Sequence, residues 1–89
     1  MGFNYIVFRG PKQQGVIREI PIIYPDVLVH SDVAEAMLKV PGMEKFKPVS
    51  AGSCALTVHC EGSSSTLKLK SRSGDSSLIN GYPYWHGLI

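Results

Sequence analysis

Eighty-nine residues make a single domain, with no room for a second hydrophobic core. An apolar fraction of 44% against 18% charged excludes a disordered chain, and a net charge of +2 is weak for a protein that binds polyanions. A chain this short buries only about 60–65% of its unfolded surface, so self-association is an expectation from size alone.

Residues 3–9 are rich in aromatic and β-branched side chains and read as a first strand. Gly10 to Gly15 is polar and bracketed by glycines, so it turns. Residues 16–23 then return antiparallel, and Pro21, which lacks an N–H, suits an edge position or a strand end. Val27, Leu28 and Val29 lead into a helix. Asp32 with Glu35 has the form of a capping box, with Ser31 as a rival N-cap. Val33, Ala36, Met37 and Val40 follow as one apolar stripe, and Pro41-Gly42 stops the helix. A helix of about nine residues is unstable alone and must lie on the sheet.

Residues 43–47 form a basic connector in which Phe46 is a core anchor. Residues 48–52 begin a third strand that bends at Gly52 and continues into residues 54–60. There Cys54, Leu56, Val58 and Cys60 alternate with Ala55, Thr57 and His59. After a Gly/Ser loop over residues 61–65, Leu67 and Leu69 alternate with Thr66, Lys68 and Lys70. A period of two predicts a hairpin with one buried face and one wet, partly cationic face. Asp75 after Gly74 starts a short helical turn over residues 75–79. The whole predicts an α+β fold: a four-stranded, mainly antiparallel sheet in ββ-α-ββ order, one packed helix and an aromatic C-terminal tail.

On one continuous strand Cys54 and Cys60 would stand about 20 Å apart, beyond disulfide reach. They read as reduced core thiols, which suits a reducing compartment. His59 beside Cys60 points to the opposite face, so it is no base for that thiol. Ser53 and His59 make no better pair. His30, His59 and His86 lack metal-ligand spacing, so neither a metal site nor a cofactor is expected. Glu35, Asp26 and Asp75 occupy caps and turns, and the glycines at 10 and 15 join two strands and do not cradle a phosphate. No apolar run reaches the length of a membrane span, and the N-terminus lacks a signal-peptide or myristoylation pattern. The expectation is a soluble, intracellular, non-enzymatic protein.

Two surfaces stand out. Tyr82, Tyr84, Trp85 and His86 are amphipathic rings of the kind that anchor protein interfaces, and the same segment would serve as cover for an open sheet face. Lys68, Lys70 and Arg72 form the one local basic cluster, an alternative site for nucleic-acid phosphates. Over most of the chain, the order of short signatures resembles small uncharacterised proteins of tailed bacteriophages and prophages. The resembling pieces are Ile22-Ile23-Tyr24-Pro25-Asp26, His30, Val49-Ser50-Ala51-Gly52, Leu67-Lys68-Leu69-Lys70-Ser71-Arg72 and Leu78-Ile79. The resemblance implies a virus-encoded product made in the bacterial host cytoplasm, with no activity to carry over to any residue. The expected role is a phage accessory protein that binds a protein partner, either a host factor, including a defence component, or a part of the virion.

Overall fold

The computed structural model describes residues 2–54 and 60–81. Strand β1 (Phe3–Arg9) pairs antiparallel with β2 (Glu19–Pro25), from Phe3 opposite Pro25 to Arg9 opposite Glu19. Between them the ladder runs on as a hairpin arm. Gly10 N–H donates to Arg18 O at 2.9 Å, and Gln13 and Val16 exchange backbone bonds of 2.8 and 2.9 Å. Gln14 and Gly15 close the arm with φ of 51° and 80°, the two left-handed residues of a type I′ turn. The second strand therefore starts later than the expected residue 16, because residues 16–18 belong to this exposed arm. Pro21 is accommodated because β2 is an edge strand of the sheet order β2-β1-β3-β4.

Helix α1 (His30–Met37) begins two residues before the expected cap. Val29 is the N-cap and makes no side-chain bond, while Asp32 lies inside the first turn, where its charge complements the helix N-terminus. The buried stripe is rotated as well. Val33, Ala34, Met37 and Leu38 pack on the sheet, whereas Ala36 and Val40 face solvent. Turning Leu38 inward in place of Ala36 removes more apolar area from water. Phe46 joins the same cluster from the connector, as expected.

Strand β3 (Lys47–Cys54) pairs with β1 antiparallel, with a register shift between Val7 and Phe8. The expected continuous strand through residue 60 is not formed. Cys60 returns in β4 (Cys60–Glu61) as the antiparallel partner of Cys54. Ala55, Leu56, Thr57, Val58 and His59 lie outside the described residues. The fourth strand of the sheet is thus β4. The expected strand over residues 66–71 is instead a short second sheet, β5 (Ser63–Ser64) with β6 (Leu69–Lys70), turned by residues 65–68. Helix α2 (Asp75–Asn80) follows, one residue longer than the expected turn, with Gly74 as its N-cap and Asp75 as its first residue.

Tyr5, Ile6, Val7 and Phe8 are all fully buried, because the central strand is covered on both sides. Ile6 and Phe8, with Ile22, Tyr24 and Ala51, face α1; Tyr5 and Val7, with Ile23, Val49 and Cys54, face Leu78 and Ile79 of α2. The one buried and one wet face expected of a hairpin over residues 54–70 does not describe this sheet, which α1 covers on one side and α2 on the other. The result is a small α+β domain built on a four-stranded antiparallel sheet.

Candidate functional site

The densest chemistry lies where α2 meets β1. Asp75, the first residue of α2, is fully buried, and three donors converge on its carboxylate. Tyr5 Oη donates to Oδ2 at 2.5 Å, the Arg72 backbone N–H to Oδ2 at 2.9 Å, and Arg72 Nε to Oδ1 at 3.0 Å. The remaining Arg72 nitrogens fork onto Glu19, Nη1 to Oε2 at 3.1 Å and Nη2 to Oε1 at 3.0 Å. Arg9 closes the chain on Glu19 Oε2 through Nε at 2.9 Å and Nη2 at 2.7 Å. Five side chains from β1, β2, the segment before α2 and α2 itself are thereby tied in line.

The electrostatics follow the geometry. Burial, then the Asp75 hydrogen bond and charge, pushes the Tyr5 phenol far above its ordinary range. The Arg72 hydrogen bond, helped by Arg9, holds Glu19 below the usual carboxylate range against its own desolvation. Arg72 is raised in turn, first by its hydrogen bond to Glu19. Such a chain clamps α2 to the sheet.

Beside it stand the thiols. Cys54 is buried and Cys60 half-buried. Burial pushes Cys54 up to about 11, and the neighbouring Cys60 adds to the shift. Cys60 is raised chiefly by burial and by the charge of Asp75, against a hydrogen bond from Ser76. Neither has the depressed value of a nucleophilic cysteine. Across the sheet, His30 Nε2 donates to Gly52 O at 3.1 Å and its ring meets Tyr24 edge-on at 5.8 Å, which pins α1 to β3. Burial raises the Tyr24 phenol, whose oxygen has no partner among the described residues.

A pH dependence follows from these shifts. Glu19 is depressed, so its contribution is present above the ordinary carboxylate value and lost as pH falls through the lowered one. Tyr5, Tyr24 and Cys54 are raised, so theirs is complete below the unfolded values and lost as pH rises. For Cys54 that window runs from 9.0 to about 11. Thermal midpoints should be flat from about pH 5 to 8 and fall on both sides. A midpoint still level at pH 11 contradicts the buried-phenol and buried-thiol assignments.

Of the residues singled out from sequence, Tyr82, Tyr84, Trp85 and His86 lie outside the described residues. Lys68, with φ of 56° in the β5–β6 turn, and Lys70 are exposed. Arg72 does not share their face, because its guanidinium is spent on Glu19 and Asp75. Sequence reading missed this network. Arg9 with Glu19 was recoverable from the hairpin register, but Arg72 lies 53 positions from Glu19 and carries no local signal.

It also missed a charge asymmetry. The hairpin arm and the loop before β3 come together around a cleft of about 430 Å³ lined by Arg18, Lys45, Gln13, Glu44 and Phe46. Residues 9–19 and 42–48 hold five basic and two acidic residues; the rest of the chain holds four and five. That end is net +3 and the remainder −1. Among the described residues no group of three or more His, Cys, Asp or Glu is placed to hold a metal ion, and no helix is long and apolar enough to cross a membrane. No protein-family model matches the chain, and no curated protein or solved structure matches it either.

Proposed function

We propose that this protein is a non-enzymatic interaction module, an accessory protein of the phage kind its sequence resembles, which acts by docking on a protein partner. The observation that supports this reading is the run Val27-Leu28-Val29, three consecutive apolar side chains left 82%, 47% and 46% exposed at the entrance to α1. Single exposed aliphatics are ordinary, but a contiguous run is the usual mark of a contact surface. The ionisable groups in the interior point the same way, since Tyr5, Asp75, Arg72 and Glu19 hold one another. Tyr82, Tyr84, Trp85 and His86 are the second set of anchors in this proposal.

The β2 edge is a poor place for strand addition, because Pro21 and Pro25 lack donors. Docking therefore runs through side chains. In a pull-down from bacterial lysate, with light scattering for mass, the Val27→Asp/Val29→Asp and Trp85→Ala variants should each lose partner capture or self-association while retaining the native circular dichroism. Unchanged capture and mass in both would remove the proposal.

A second reading is favoured by the net +3 end. Lys12, Arg18, Lys45 and Lys47 are all exposed there, and they make a better phosphate-binding surface than Lys68, Lys70 and Arg72. Under this reading the same preparation binds a labelled oligonucleotide, and the binding weakens steeply between low and moderate salt.

A further inference from the structure

Cys54 and Cys60 are directly opposed residues of neighbouring antiparallel strands. Opposed residues in such a ladder share a face and hold their Cα atoms about 4.5–5.5 Å apart. A disulfide spans Cα separations of about 4.4–6.8 Å, so no backbone movement is needed to join them. The Cys60 amide N–H is directed to Ser76 Oγ at 2.9 Å, which fixes β4 against α2 and holds this partner in place. Both cysteines are free thiols, and both belong to the cluster under α2 with Tyr5 and Ile79.

We propose that Cys54 and Cys60 are a redox modification site, closing to a cross-strand disulfide that locks β4 onto β3. This goes beyond the interaction reading and does not depend on it. The oxidant is a hydroperoxide. Cys60 is the half-exposed partner and is attacked first: its sulfur takes one oxygen as the O–O bond breaks, giving a sulfenic acid and releasing water or an alcohol. The buried Cys54 sulfur then attacks the Cys60 sulfur, the S–O bond breaks, and a second water leaves. Two thiols are oxidised by two electrons, and one peroxide is reduced. A dithiol returns the pair to the free form by exchange.

A raised thiol value makes the first step slow at neutral pH, but the second is intramolecular between sulfurs already opposed. The cross-link closes a short loop and joins strands that are already paired. The oxidised chain should therefore melt higher than the reduced one, by about 5–15 °C.

The test is to treat the native 89-residue chain with stoichiometric hydrogen peroxide, count free thiols and map peptides by mass spectrometry. The expected result is loss of both thiols together, a mass lower by about 2 Da from the two departed hydrogens, and a single Cys54–Cys60 peptide that dithiothreitol splits. Cys54→Ser should stop at a Cys60 adduct or an intermolecular dimer. Retention of both thiols, cross-linking only after denaturation, or an oxidised form that melts below the reduced one would overturn the proposal. The wild-type map requires no variant to fold.

Discussion

Asp75→Ala should destabilise this domain by about 2–4 kcal/mol, the cost of removing a fully buried carboxylate on which three donors converge. The wild-type carboxylate accepts from Tyr5 Oη, the Arg72 amide and Arg72 Nε. Alanine leaves the buried Tyr5 hydroxyl without its acceptor at its full desolvation cost, while the part-exposed Arg72 guanidinium keeps Glu19. A chain of this size has only about 5–13 kcal/mol of total stability, so the loss is a large share of it. Thermal unfolding should move down by about 15–30 °C. Asp75→Asn, which keeps the shape and an acceptor but no charge, should fall between. A change below about 1 kcal/mol for the alanine variant, the range of an exposed ion pair, would show that the network does not hold α2.

Gly52→Ala should be the most damaging single-methyl addition among the described residues, at about 2–3 kcal/mol. A Cβ there collides with the Glu61 backbone carbonyl oxygen and sits 3.2 Å from Tyr5 Cε1. Neither neighbour gives way cheaply. Glu61 is in the ladder with β3, and the Tyr5 ring is tethered by its hydroxyl to Asp75. The bare glycine lets the Tyr5 ring lie across the strand pair, as aromatic residues do opposite glycine in sheets. Gly74→Ala is the control: a Cβ there meets nothing within 4 Å, so only the small cost of an alanine at the N-cap of α2, below about 1 kcal/mol, is expected. Equal effects at the two positions in denaturant titration would refute the close-approach argument. Because Tyr5 links both sites, Gly52→Ala and Asp75→Ala should not add.

Much of the fold was legible because local pattern and tertiary structure agree. The composition of residues 3–9, the turn at 10–15, Pro21 at an edge and the helix before Pro41-Gly42 all survive in outline. The failures have a common physical origin. Alternation of period two marks faces but not direction, so Cys54 and Cys60 were read as one extended run when they are partners on adjacent strands. No glycine or proline between them announces the reversal. The phase of α1 differs from the expected stripe because Ala36 and Leu38 lie on opposite sides of a short helix, only one of them can face the sheet, and packing area favours Leu38.

Charge was the least legible property. Lys68, Lys70 and Arg72 share a period but not a role, since Arg72 turns to Glu19 and Asp75 while the two lysines stay in water. Conversely, Arg18 and Lys45 line one cleft although 27 positions separate them. A charged residue's function is decided by which carboxylates the fold brings near it, and those are rarely its sequence neighbours.

The central claim is a division of labour, with the buried ionisable groups serving the fold and the exposed apolar run serving a partner. Partner capture measured side by side on Asp75→Ala, at a temperature where it is folded, and on Val27→Asp/Val29→Asp tests it most directly. The account predicts capture by the first despite its lost stability, and none by the second despite its normal melting. Capture lost with Asp75 and kept without Val27 and Val29 would contradict it.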